Sequence, residues 1–123
     1  MVYDIGSGRG KKGWYKGYWC DSSWELAFVI YNIEHDIKFK RSTETFIYTF
    51  DNKFHKYLPD FIMEDGTYIE VKGYYTRQVD AKIKQFPKDK KLIVIDSKGI
   101  KKYINYCILK YGKTFINLYD KIK

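Results

Sequence analysis

Tyr57-Leu58-Pro59-Asp60-Phe61-Ile62-Met63-Glu64-Asp65-Gly66-Thr67-Tyr68-Ile69-Glu70-Val71-Lys72-Gly73 predicts two short strands around a turn at Glu64-Asp65-Gly66. Apolar and aromatic residues flank the turn on both sides. Three ionisable side chains, Asp60, Glu70 and Lys72, are set into that ladder. Charge inside a core hairpin is costly unless it is paired or bound to a metal. The loop length decides what these groups can do. A two-residue Asp65-Gly66 turn sets Asp60 opposite Val71 and sends Glu70 to the other side of the sheet. A three-residue Glu64-Asp65-Gly66 loop is a type I turn closed by a left-handed residue in a bulge, a position that favours Gly. It sets Met63 opposite Thr67 and Asp60 directly across from Glu70, with Lys72 next on the same face. Phe61, Met63, Ile69 and Val71 then share the other face, which suits packing against a helix.

Opposed side chains have Cβ atoms about 5 Å apart, and like charges there repel. Two carboxylates so placed call for a proton or a cation between them. Mg²⁺ suits this role, because it takes oxygen ligands and is commonly held by one or two carboxylates and waters. Such an ion can generate a water nucleophile and steady charge on a phosphoryl oxygen. Lys72 would hold or polarise the water, or offset transition-state charge. The plain alternative is a solvated strand face, where charge pairs are common and contribute little.

Pro59-Asp60 followed by Glu70-Val71-Lys72 resembles the signature of the PD-(D/E)XK nuclease superfamily. Within it the chain is most similar to small phage junction-resolving, very-short-patch-repair and mobile-element endonucleases, and to transposon-end nucleases. The resemblance covers residues 22 to about 96 and implies an α/β fold. That fold is a restriction-endonuclease-like core with a mixed central β-sheet flanked by helices. It implies Mg²⁺, with Mn²⁺ as substitute, bound by Asp60, Glu70 and the main-chain carbonyl of Val71, and Lys72 serving the attacking water. It also implies a further metal carboxylate from the preceding helix, the place taken by Glu25. The alternative for Glu25 is purely structural, as the third residue of a capping box begun by Ser22.

The rest of the chain supports a polyanion partner. Its 123 residues carry 23 basic and 15 acidic side chains, for a formal charge of +8. That excess favours nucleic acid first and a membrane surface second. Aromatics make up 20% of the residues, far from a disordered composition. No run approaches the roughly 20 apolar residues of a membrane span, and the polar start shows no leader, so a cytoplasmic location is expected. Cys20, Cys107 and two scattered His lack zinc-site spacing. The bias toward Lys, Ile, Asn, Tyr and Phe suits an AT-rich genome such as a phage's.

Residues 1–21 predict a basic arm rich in Gly and aromatics, without helical or strand period, ahead of a single domain over 22–123. Arg9, Lys11, Lys12 and Lys16 in the arm could neutralise phosphates while aromatics stack on bases. The arm could equally pack on the domain through Trp14 and Trp19. A helix is expected over 22–35, with His35 offsetting its dipole, and a strand pair over 37–41 and 45–50. His55 falls on the face opposite Asp60 and is given no role. Thr76 predicts a helix through Phe86 that places Arg77, Lys82 and Lys84 near the charged strand, where they could contact phosphates. Leu92-Ile93-Val94-Ile95 predicts a buried strand beside the hairpin, joined by a right-handed crossover. Ser97 predicts a last long helix ending at Gly112, followed by a short helix or edge segment.

The leading function is a Mg²⁺-dependent DNA endonuclease that nicks or cuts structured or duplex DNA, with a homodimer able to cut both strands. A non-catalytic nucleic-acid-binding module is the alternative. A small-molecule phosphohydrolase fits the +8 charge poorly.

Overall fold

The structure, a computed structural model, describes residues 11–120. It is mixed α/β, with a mixed four-stranded sheet and three α-helices among the described residues. In order, the elements are β1 (Gly13–Tyr15), β2 (Tyr18–Cys20), α1 (Ser23–Glu34), β3 (Phe39–Arg41), β4 (Phe46–Phe50), β5 (Lys53–Tyr57), β6 (Phe61–Met63) and β7 (Tyr68–Val71). Then follow α2 (Arg77–Lys84), β8 (Leu92–Ile95), α3 (Lys101–Tyr111) and a 3-10 turn, Phe115–Leu118. The chain divides into two compact units. One comprises residues 1–37 and 99–123, the other 38–98. No described helix is long and apolar enough to cross a membrane.

The second unit is built on β6 and β7. Met63 N–H donates to Thr67 O at 2.8 Å, and Gly66 N–H returns to Met63 O at 2.9 Å. Phe61 pairs with Ile69 and Ile62 with Tyr68. This is the register of the three-residue loop, closed by Gly66 at φ +89°. Asp65 Oδ1 accepts from Thr67 N–H and steadies the turn. The sheet order is β3-β6-β7-β8, with β7 and β8 parallel and the other pairs antiparallel.

Two strand expectations change here. Residues 37–41 and 45–50 do not pair with each other. β3 lies against β6, and β4 pairs with β5 through a two-residue turn at Asp51 and Asn52, at φ 53° and 62°. Left-handed values at both positions mark the type I′ turn that joins twisted strands, and Asp and Asn tolerate them. The run Leu92–Ile95 is an edge strand rather than a buried one, with Ile93 42% exposed.

The face carrying Ile62 and Tyr68 is apolar for a reason. Tyr48, Tyr57, Tyr68 and Phe86 form one buried cluster, with Phe46, Ile62 and Leu92 packed around it. The β4–β5 hairpin and α2 therefore cover this side. Thr76 caps α2 by accepting from Val79 N–H, as its sequence predicts. Beyond the helix end, Gln85 bonds both the N–H and the C=O of Thr49, in the manner of a neighbouring strand.

In the first unit, Ser22 caps α1 by accepting from Glu25 N–H at 3.2 Å. Residues Trp24 to Ile30 are all buried, the mark of a helix enclosed on every side. Cys107 of α3 approaches the Ala27 carbonyl, and Glu34 at the end of α1 accepts from Tyr106, Tyr111 and Lys110 of α3. Ser97 does not cap α3. Its first flanking residue is Ile100, with no side-chain cap, and a turn at Asp96 to Gly99 intervenes. Gly112, at φ 87°, ends the helix as expected.

Residues 13–20, expected to lack a strand period, form the β1–β2 hairpin. Lys16 and Gly17 take positive φ at its turn, and Trp14 faces Trp19 with ring centroids 5.4 Å apart. It is tied to the residues after the 3-10 turn. Asp120 N–H donates to Trp14 O, and Lys16 N–H donates to Asp120 Oδ2.

At Gly66 an added Cβ would meet nothing within 4 Å, so substitution there tests backbone conformation alone. Gly66→Ala is expected to lose about 1–2 kcal/mol, and Gly66→Asn less. Urea unfolding of the three proteins checks this, and equal midpoints would contradict the left-handed turn.

Candidate functional site

The register sets the charged residues. One step beyond the Phe61–Ile69 pair, in the bend that leads into β6, the register extrapolates to Asp60 across from Glu70. Asp60 is fixed on both sides. Its carbonyl accepts from Ser42 N–H, extending the β3 ladder, and its Oδ2 accepts from Val71 N–H at 2.7 Å. Pro59 gives this geometry a reason. The next ladder pair would be Pro59 with Val71, and proline has no N–H to give the Val71 carbonyl. The ladder therefore ends there, and the Asp60 side chain takes up the Val71 N–H.

Glu70 is buried, at 6% exposure. Tyr57 Oη donates to Glu70 Oε1 at 2.9 Å, and Lys82 Nζ lies 3.6 Å from Glu70 Oε2. The Lys82 ammonium also sits 4.4 Å from the Tyr57 ring centroid. Tyr57 thus receives a cation on its face while its hydroxyl serves the same carboxylate. Burial drives the Tyr57 phenol pKa well upward, and the charges of Glu70 and Asp60 both add to the rise. One phenol feels both carboxylates, as expected when they share a face.

Lys72 continues the parity of Glu70. Its N–H donates to Ile95 O, and its ammonium lies 5.7 Å from the Tyr74 ring centroid. The second unit therefore carries Asp60, Glu70, Val71 and Lys72 on one hairpin, with Asp60 bonded to Val71.

Glu25 belongs to the first unit. It is buried at 6% exposure, and its Oε1 accepts from Asp21 N–H at 3.2 Å. The capping role is present in altered form, because the side chain reaches the residue before the cap rather than the cap itself. Lys11, Lys12 and Lys16 are exposed in the same unit; Arg9 lies outside the described residues. Arg77 opens α2 and is exposed. Lys84 forms an exposed pair with Asp80 at 2.9 Å. Lys82, expected among the phosphate contacts, instead has a side chain only 16% exposed and turned to Glu70.

Tyr57 is absent from the sequence-derived site, and Lys82 enters it only as a phosphate contact, not as a partner of Glu70. Neither is near Glu70 in a strand pair, and only the cover of β5 and α2 brings them there. A faint signal exists for Tyr57, since a buried tyrosine hydroxyl needs a partner.

The oxygen donors here are of the type that a hard divalent ion takes. Glu70 Oε2 has its lysine at 3.6 Å, longer than a charge-assisted hydrogen bond, and the Val71 carbonyl has lost its ladder donor to Pro59. Among the described residues, no group of three or more His, Cys, Asp or Glu is placed to hold a metal. Such an ion would rest on two carboxylates, one carbonyl and water.

Tyr57→Phe is expected to cost about 1–3 kcal/mol at pH 7, because Glu70 Oε1 is left buried without its donor. The pH dependence has a definite sign. Raised phenol pKa values, for Tyr57 and for Tyr68 at about 12, contribute stability fully present below the ordinary phenol value of about 10. It is lost as pH climbs toward the folded values. Wild type should therefore lose more stability than Tyr57→Phe between pH 10 and 12, as measured by urea unfolding. Parallel curves would remove Tyr57 from the site.

No family model matches the chain, and a search of curated proteins gives no match.

Proposed function

We propose that this chain is a metal-dependent DNA endonuclease with a restriction-endonuclease-like core, and that it hydrolyses phosphodiester bonds. The observation that carries the reading is the bulged hairpin register, which puts Asp60 across from Glu70 with Lys72 next on that face. Asp60, Glu70 and the Val71 carbonyl would hold Mg²⁺ or Mn²⁺. A bound ion of this kind supplies a nucleophilic water at neutral pH and offsets phosphoryl charge. Lys72 donates to that water or to the phosphate oxygen, and its fixed positive charge favours the pentavalent transition state over the substrate. Tyr57 and Lys82 hold the Glu70 carboxylate in position. The resemblance of Pro59-Asp60 and Glu70-Val71-Lys72 to the PD-(D/E)XK signature points the same way, and implies 5′-phosphate and 3′-hydroxyl products. The +8 charge suits a polyanionic substrate. A unit this small leaves little surface for base-reading modules, which favours structured DNA or short specificity, with a homodimer to cut both strands.

One observation favours a second reading, a nucleic-acid-binding module without catalysis. Each carboxylate already has a partner in the chain, Val71 N–H for Asp60 and Tyr57 with Lys82 for Glu70.

The two readings separate on labelled junction, flap, nicked, duplex and single-stranded DNA incubated with Mg²⁺ or Mn²⁺. Wild type is expected to cleave at least one substrate. Asp60→Ala and Lys72→Ala are each expected to lose at least about 100-fold while still binding DNA. Glu25→Gln reports whether that residue serves the ion or only the helix cap. Cleavage unchanged in Asp60→Ala and Lys72→Ala would remove the reaction from this site. Intact DNA throughout the wild-type panel would favour the binding module.

A further inference from the structure

The β4–β5 hairpin has two unlike faces. Inward it presents Tyr48, Tyr57 and the half-buried His55, with Tyr48 and His55 stacked at 5.3 Å. Outward it presents Ile47, Thr49, Phe54 and Lys56, in the pairs Ile47–Lys56 and Thr49–Phe54. Phe54 is 81% exposed and Ile47 59%. Lys56, exposed, shares this face two residues from Phe54, whereas Lys53, paired with Phe50, has the parity of the inner face. Asp51 is the single carboxylate at the turn. A phenylalanine so open beside a lysine is not explained by packing, because the hairpin's apolar burial lies on its other side.

The hairpin is also held rigidly. Gln85 bonds Thr49 N–H at 2.9 Å and Thr49 O at 2.9 Å, and the inner face is buried in the aromatic cluster. Rigid aromatics lose little freedom on binding, which makes them efficient stacking surfaces. Tyr57, the last residue of β5, donates to Glu70, so the platform is continuous in the chain with the carboxylate site.

We propose that the outer face of the β4–β5 hairpin is a docking surface for unpaired DNA, with Phe54 stacking on an exposed base and Lys56 neutralising an adjoining phosphate. This deepens the nuclease reading and rests on it for the substrate class. DNA with single-stranded or branched segments is selected, because only unstacked bases offer their faces to Phe54. The lysine beside the ring and the +8 charge of the chain favour a polyanion over an apolar protein surface or a second copy of this basic chain.

The test measures binding without cleavage. Fluorescence anisotropy in EDTA compares wild type, Phe54→Ala, Phe54→Trp and Lys56→Ala on single-stranded, junction and fully paired DNA. Circular dichroism and light scattering accompany it. Phe54→Ala is expected to bind single-stranded and junction DNA about 5- to 100-fold more weakly and paired DNA less than about twofold more weakly. Phe54→Trp should restore binding, with its fluorescence quenched by DNA. Lys56→Ala should weaken binding to all three and lower the salt slope by about 1. Folded Phe54→Ala that binds unpaired DNA like wild type overturns the proposal. So does Phe54→Ala that turns a dimer into a monomer with DNA affinity unchanged, which assigns the face to a second copy. If wild type binds through Phe54 as described yet cleaves nothing with Mg²⁺ or Mn²⁺, the surface stands and the nuclease reading alone fails.

Discussion

A single left-handed residue, Gly66, sets the parity of everything around the carboxylates. With three residues in the loop, Met63 meets Thr67 and the even-numbered positions from Asp60 to Lys72 share one face. One residue fewer would turn Glu70 away from Asp60, because strand side chains alternate with period two. The same register brings Pro59 opposite Val71, and the missing proline N–H ends the ladder where the Asp60 carboxylate takes over. Turn, ladder end and carboxylate position are thus one constraint seen at three places.

What was legible follows from how local each signal is. The central hairpin, the Ser22 and Thr76 caps and the Gly112 stop are written within a few residues of where they act. Strand partners are not. Residues 45–50 alternate in part, and alternation does not say which neighbour they join. The Asp51-Asn52 pair, able to hold two positive φ values, was the clue that β4 turns straight back on β5. The Lys16-Gly17 pair hid the β1–β2 hairpin in the same way, behind a composition that looks like a tail. Ser97 offered a good cap, but the turn begun at Asp96 uses those residues first, with Asp96 Oδ1 accepting from Lys98 N–H. The apolar run of β8 suggested burial on both sides, but an edge position depends on strand order and leaves Ile93 open.

At the site, the chain's own spacing reached Asp60, Glu70, Val71 and Lys72 because they lie on one hairpin. It did not reach Tyr57 and Lys82, which come from β5 and α2 and meet Glu70 only through tertiary cover. Lys82 was legible as a basic residue near the charged strand but not as the counterion of Glu70. A side chain on α2 can turn toward the sheet or toward solvent, and the aromatic cluster beneath it decides which. Tyr57 supplies that surface, since the lysine stem and ammonium lie against its ring.

That counterion changes the energetics of the whole hairpin. Two opposed carboxylates with nothing between them would oppose folding, and many such sites form only when a metal arrives. Here Asp60 is answered by a backbone N–H, and Glu70 by a phenol and an ammonium within the chain. The charges are therefore compensated within the chain, so the hairpin would not need the proposed ion in order to fold. The lysine is held at a distance too long for a strong hydrogen bond, so it neutralises Glu70 without consuming the lone pairs of Oε2. A buried carboxylate paired in this way keeps an oxygen free to accept, which is what the proposed hard cation would require of it.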